Sequence, residues 1–252
     1  MGKYIYGFVR EPQPRKFEFT GIEDAEVYTV SYRELAATVT DTGLADIDPT
    51  RRNVLAHTLV QDRLLRMYPA VLPASFGLIA GSGEEVLGMV REHYTELAGQ
   101  LDKLHDCVEI ALKVSWNQEA VSACLEKEDP EFVQLKERLR TTRSPLEAQG
   151  LLMRIGYKVE QVAREWKIFL ADEVYQHLRP GAIDAVRSEN GGVRGLLNAS
   201  FLIKGAEEGR FQEEVRRLDG KFGDKLSFKY IGPLPPYNFV NVKLGLAGRR
   251  AA

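Results

Sequence analysis

The spacing of apolar and polar residues changes several times along the chain, and each change marks an element. Residues 3–9 (KYIYGFV) are aromatic and β-branched, which predicts a strand; 27–32 and 36–40 predict two more. Pro12 and Pro14 hold the stretch after the first strand out of regular structure. Asp48-Pro49 pairs an N-cap with the residue best suited to the first helical position, so a helix is predicted to about residue 67. Its apolar side carries Leu55, Leu59, Leu64 and Leu65, and Tyr68-Pro69 ends it. Residues 70–80 (AVLPASFGLIA) read as a strand in which Pro73 is admissible only at an edge, a bulge or the strand start. Ser82-Gly83-Glu84-Glu85 has capping-box spacing, and Leu87, Val90, Tyr94, Leu97, Leu101 and Leu104 then form one apolar stripe. Residues 107–116 alternate: Val108, Ile110, Leu112, Val114 and Trp116 face inward, while Glu109, Ala111, Lys113 and Ser115 face water.

From residue 117 only helix patterns follow. A short helix over 117–128 is followed by a restart at Asp129-Pro130, and Ser144-Pro145-Leu146-Glu147 combines N-cap, proline and capping box. The run it starts continues to Leu178, about 50 Å at 1.5 Å per residue. Val159, Val162, Trp166, Phe169 and Val174 lie near one stripe of it. A second strand–helix–strand run (193–231) then echoes 70–116, with Ala199-Ser200-Phe201 matching Ala74-Ser75-Phe76 and Phe211, Val215, Leu218 and Phe222 on its helix. Gly191-Gly192 precedes it as a loop, and Pro233, Pro235 and Pro236 keep the tail extended. The pattern predicts an α+β chain of two domains. Residues 1–116 form a ferredoxin-like sheet with helices on one face. Residues 117–240 hold the helical arm (117–187) and the second β-α-β unit, and 241–252 form a flexible tail.

Composition narrows the function classes. The 252 residues carry a net charge of −2, which argues against nucleic acid or an anionic membrane as partner, although the last quarter of the chain is locally basic. The two cysteines, Cys107 and Cys124, lack CxxC spacing and read as reduced thiols of a cytoplasmic protein. The start has no signal-peptide pattern, and no apolar run is long enough to span a membrane. Phosphate-binding, nucleophile-elbow and metalloprotease motifs are missing, so no catalytic residue, cofactor or metal is expected. His57, His93, His105 and His177 include no i,i+4 pair. Gly81-Ser82-Gly83 reads as a helix cap, since Glu84 and Glu85 would repel a phosphate. An RNA- or metabolite-binding module is the rival reading: Tyr4, Tyr6 and Phe8 on an early strand invite comparison with an RNA-recognition motif, but its second aromatic strand is missing.

YIYGFV near the start, YPAVLPASFGLIA before a Gly- and Glu-started helix, NASFLIKG, and GPLPPYNFV at the end occur in that order. Together they resemble the gas vesicle protein F/L family from Tyr4 to about Val240, with LPASFG and GPLPPYNFV the most specific parts. The resemblance implies a non-enzymatic accessory protein of gas vesicles, the gas-filled compartments of prokaryotic cytoplasm. It implies binding to the main shell protein, gas vesicle protein A, and to other accessory proteins, aiding nucleation or preventing aggregation of that subunit. Two α+β domains, the first a modified ferredoxin-like one, are implied as well. A shell subunit exposes apolar surface before assembly, and a groove or a free sheet edge can cover it. Tyr4, Tyr6, Pro73, Phe76, Pro235, Pro236, Tyr237 and Phe239 are the candidate partner-binding residues, set against the plainer expectation that they fill the core or strap the tail onto it.

Overall fold

A computed structural model of the chain describes residues 1–189, 192 and 194–242. Gly191 of the expected loop and residues 243–252 of the expected flexible tail lie outside the described residues. The chain opens with β1 (Gly2–Arg10), β2 (Lys16–Thr20), β3 (Glu26–Tyr32) and β4 (Leu35–Thr42), then α1 (Arg51–Met67), β5 (Leu72–Pro73), β6 (Ile79–Ala80), α2 (Gly83–Glu92) and α3 (Tyr94–Lys103). The sequence pattern misses β2, whose two phenylalanines alternate with Lys, Glu and Thr over only five residues. Thr50, not Asp48, caps α1, accepting from the Asn53 N–H. The expected single helix after Ser82 breaks at His93 into α2 and α3.

In the first sheet the strands run β2-β3-β4-β1-β5, with β6 also pairing β1. Pro73 sits on the edge strand, where its missing N–H leaves no ladder bond unmade. Gly7 faces Pro73 across the pair so closely that a Cβ there would stand 2.6 Å from the Leu72 carbonyl oxygen. The β1–β4 register slips between Ile5 and Gly7, a bulge that adds Tyr6 as an extra residue. Strict alternation would send Tyr4, Tyr6 and Phe8 to one face. The bulge resets it, so Tyr4, Tyr6 and Val9 share a core with Val60 and Leu64 of α1, while Phe8 turns to the other side and meets Leu97 of α3. Neighbours Tyr4 and Ile5 are both fully buried. Helices thus cover both faces of this sheet, not the one face expected: α1 lies on the side of Tyr4, Tyr6 and Val9, and α3 on the side of Phe8.

The remaining elements are β7 (Cys107–Trp116), α4 (Gln118–Glu128), α5 (Pro130–Thr141), α6 (Pro145–Leu178), β8 (Asp184–Arg187), β9 (Gly195–Lys204), α7 (Glu208–Phe222) and β10 (Leu226–Leu234). Their sheet has the order β10-β7-β9-β8. This β-α-β-β-α-β succession with its first and last strands side by side in the middle and at the edge is the ferredoxin-like arrangement. It therefore belongs to the second sheet, and α4 to α6 stand in place of its first crossover helix. Because β7 joins this sheet, residues 70–116 are not a β-α-β unit. Strand alternation identifies a strand but not the sheet it enters.

The two compact units differ accordingly from a division at residue 116. One comprises Met1–Glu109, Lys204–Ala206 and the tail from Pro233; the other comprises Ile110–Ile203 and Glu207–Gly232. In the second unit Phe201 packs against Phe211 of α7 and Tyr175 of α6, ring centroids 5.2 and 5.7 Å away. Phe211, Val215, Leu218 and Phe222 are buried as their spacing predicts. On α6 only Leu151, Ala171, Val174 and Leu178 are buried. Phe169, expected on the buried stripe with Val174, is exposed.

Candidate functional site

The LPASFG segment leaves the first sheet between β5 and β6 as a loop, and its polar groups are met from below by α1. The Gln61 amide nitrogen donates to the carbonyls of Tyr6 (2.6 Å) and Ala74 (2.9 Å). His57 Nε2 lies 3.2 Å from the same Ala74 carbonyl, so it carries the proton, and Nδ1 accepts from the Tyr4 hydroxyl at 2.8 Å. That hydroxyl oxygen in turn accepts from the Gly77 N–H at 3.2 Å. Gly77 has φ 88°, the left-handed region that glycine enters without steric cost. Phe76 sets its ring edge-on to His57 and Tyr4, centroids 5.6 and 6.0 Å away. Burial lowers the His57 pKa to about 4, which keeps the ring neutral, and raises Tyr4 to about 12.

The GPLPPYNF segment reaches the same spot. The Tyr237 hydroxyl donates to Gln61 Oε1 at 2.5 Å. The Asn238 backbone N–H (2.9 Å) and side-chain amide (2.6 Å) both donate to the Glu109 carboxylate. Glu109 is therefore buried, whereas its place in the alternation of β7 assigns it to water. Burial, with Glu109 and Asp62 nearby, raises Tyr237 to about 12. Pro235, Pro236 and Phe239 are buried. Beside this segment runs an apolar groove of ≈ 280 Å³, with Phe8, Leu72, Pro73, Leu97, Tyr237 and Val240 among its lining residues.

All eight candidate residues thus fall in one region of the first unit, but they do not share one surface. Tyr4 and Tyr6 are 0% exposed beneath α1 and present no atom to a partner. The Tyr6 hydroxyl is used up accepting from the Ile22 N–H at 2.8 Å. The same burial removes them as a stacking platform for RNA bases. Pro235, Pro236 and Phe239 face the body, and Phe76 packs against the core. Pro73 and Tyr237 remain to line the groove.

His57, Gln61, Glu109 and Asn238 escape the sequence reading, as do Phe8, Leu72 and Leu97 as groove walls. Their nearest signal is the i,i+4 pair His57/Gln61. The expected apolar side of α1, Leu55, Leu59, Leu64 and Leu65, does not include it. The structure bears out Leu64, which is fully buried, but leaves Leu55 and Leu59 55% and 47% exposed and buries His57 and Gln61. A leucine at 61 would take one donor each from the Tyr6 and Ala74 carbonyls in the interior, which costs more than an exposed leucine.

Among the described residues no group of three His, Cys, Asp or Glu could hold a metal, and no helix is long and apolar enough to cross a membrane. The region can bind apolar matter and can fix its own tail, and its one buried imidazole is neutral and fully engaged.

Comparison with known proteins gives a consistent result. Residues 2–241 match the family model "Gas vesicle synthesis protein GvpL/GvpF". The chain is similar to gas vesicle protein F of Streptomyces sp. (strain CB03234), 30% identical over 246 residues that span 95% of this chain and 100% of the relative. It is also similar to gas vesicle protein F of Dolichospermum flosaquae, 24% identical over 95% of this chain and 97% of the relative. The crystal structure of gas vesicle protein GvpF from Anabaena sp. PCC7120 superposes with a TM-score of 0.75 at 22% identity, covering 96% of this chain and 97% of that one. GvpF from Microcystis aeruginosa gives 0.71 at 23% identity, covering 96% and 99%.

Proposed function

Because the chain belongs to the GvpL/GvpF family of gas vesicle synthesis proteins, with a role in gas vesicle assembly, we propose that it works there without catalysis, by binding the main shell subunit, gas vesicle protein A. In this reading it shields that very hydrophobic subunit from aggregation and helps it nucleate the wall, alongside other vesicle proteins. The observation that carries the reading is the meeting of LPASFG and GPLPPYNF around Gln61, beside an apolar groove.

An apolar segment laid against the partly exposed Pro73, Leu78, Val240 and Val242, over a floor of buried Phe8, Leu72 and Leu97, removes apolar area from water at about 25 cal/mol per Å². Pro73 and Tyr237 touch the partner directly. Tyr4, Tyr6, Phe76, Pro235, Pro236 and Phe239 act from beneath by holding the two walls in place. Apart from Ser75 and the Tyr237 hydroxyl the side chains lining the groove are apolar, which suits an aliphatic or aromatic side chain, while polar atoms of its surface can hydrogen-bond the segment that carries it.

The test is capture of purified shell subunit. Leu78 and Val242 line the groove and are only partly buried, so Leu78→Glu with Val242→Glu charges it without opening the core. Wild-type protein is expected to capture the subunit and the folded double variant to lose most of that capture. Equal capture by both would remove the groove from the interaction, and no capture by wild type would remove the shell subunit as a direct partner.

A further inference from the structure

We propose that the open face of the second sheet binds an acidic segment of a protein partner, with a carboxylate of that segment seated between Lys113 and Lys229. The site lies wholly within the second unit. It is independent of the shell-subunit reading, which concerns the first.

β10 begins where β7 ends: the Asn117 N–H donates to the Lys225 carbonyl at 2.9 Å, so the two strands run antiparallel. Counted back along the pair from that bond, Ser115 stands opposite Ser227 and Lys113 opposite Lys229. Val114, Trp116 and Leu226 are buried on the other face, which leaves these four side chains on the open one. Two ammonium groups directly opposite each other destabilise a sheet. Neither lysine has an ion pair or a side-chain hydrogen bond among the described residues to offset this. A lysine at 229 guards an edge strand, but β7 lies inside the sheet between β10 and β9, where Lys113 has no edge to protect. The pair therefore costs stability and returns nothing to the fold.

The four residues floor an open cleft of ≈ 1420 Å³ whose far wall is α4. Arg194 lies at the end of the floor, its carbonyl accepting from the Trp116 N–H at 3.1 Å, and it too has no ion pair among the described residues. A carboxylate between the two lysines relieves their repulsion and gains charge-assisted hydrogen bonds, while the serine hydroxyls beside it meet polar groups of the segment that carries it. Against these cations the cleft sets Glu119, Glu126 and Glu189, of which Glu126 is already paired with Lys136. A nucleic-acid strand carries phosphate along its whole length and would meet the two remaining carboxylates. An extended peptide sends alternate side chains to opposite sides, so its acids can face the lysines and neutral residues the glutamates. Trp116, the one aromatic residue lining the cleft, is 8% exposed and belongs to the buried face, so bases have no ring to stack on.

The probe is a short fluorescent peptide of alternating Glu and Ser, read by anisotropy on the full chain at low salt, where screening is weak. Wild type is expected to bind it and to release it as salt rises. Lys113→Glu turns the cross-strand repulsion into attraction, so this variant is expected to melt no lower than wild type and yet to bind about tenfold more weakly or worse. Lys167→Glu, on the exposed side of α6 away from the cleft, changes net charge equally and is expected to bind as wild type does. Equal weakening by both substitutions would reduce binding to net charge and overturn the site. Unchanged binding by Lys113→Glu, or no binding by wild type, would overturn it as well. A lower melting midpoint for Lys113→Glu would contradict the lysine pair itself. An oligouridylate of the same length that binds as tightly as the peptide would overturn the acidic-segment reading in favour of nucleic acid.

Discussion

The hydroxyl of Tyr237 donates to the side-chain oxygen of Gln61, joining two residues 176 positions apart in the chain. Gln61 spends its two amide hydrogens on the Tyr6 and Ala74 carbonyls, so one side chain reads a central strand, a loop and the tail at once. Several consequences can be measured.

Gln61→Glu replaces the donor nitrogen by an acceptor that faces two carbonyls. At neutral pH the carboxylate is repelled and buried, and the loss is expected to exceed about 3 kcal/mol. Protonation would restore one donor, so the gap between variant and wild type should narrow on acidification. Denaturant midpoints at pH 7 and pH 5 check this, and a gap that does not depend on pH would contradict it.

His57 sets a second pH dependence. Its folded pKa of about 4 lies below the ordinary 6.5, so the unfolded chain binds the extra proton first. The stability it contributes is complete above pH 6.5 and is lost as pH falls through 6.5 toward 4. The full difference is about 3 kcal/mol. Wild type minus His57→Gln, measured by chemical denaturation from pH 8 to 4, isolates this term from the carboxylates that titrate lower. A difference that stays flat across the window would show that the ring is not buried neutral.

Gly7→Ala tests the close approach of β1 to the edge strand. The added methyl would stand 2.6 Å from the Leu72 carbonyl oxygen, and backbone on both sides cannot give way cheaply. The expected cost is about 2 kcal/mol or more, with faster amide exchange at Ala74 as β5 separates. A neutral substitution would mean the pairing of Gly7 with Pro73 is dispensable.

The exposure of Leu55 and Leu59 on α1 can be tested against buried Leu64. Leu55→Gln and Leu59→Gln should change stability by no more than about 0.5 kcal/mol each. Leu64→Ala, at a fully buried site, should cost about 2 to 5 kcal/mol. Thermal unfolding of the three variants checks this, and a cost at Leu55 or Leu59 as large as at Leu64 would contradict it.

Much of the secondary structure follows from local rules. The start of α6 at Pro145 and its end at Leu178, the Ser82 cap, the apolar face of α7 and the edge position of Pro73 all rest on residues within a few positions of each other. Proline stereochemistry, capping and 3.6-residue periodicity act at that range, so the sequence by itself determines them. The motifs that mark the family are legible in the same way.

Tertiary structure alone decided the rest. The bulge at Tyr6 flips Phe8 to the far face, and nothing in KYIYGFV announces it, because strand pairing with β4 creates the slip. β7 has a pattern that any half-buried strand would show, and its sheet is fixed by which strands flank it. His57 and Gln61 look like surface residues until the Ala74 carbonyl, unmet where the loop leaves the sheet, needs donors. Glu109 is wet by alternation and buried in fact, because Asn238 returns 129 residues later to cover it. Local sequence fixes dihedral preferences and the apolar period. Which polar groups must be satisfied in the interior depends on partners brought together only by the closed fold.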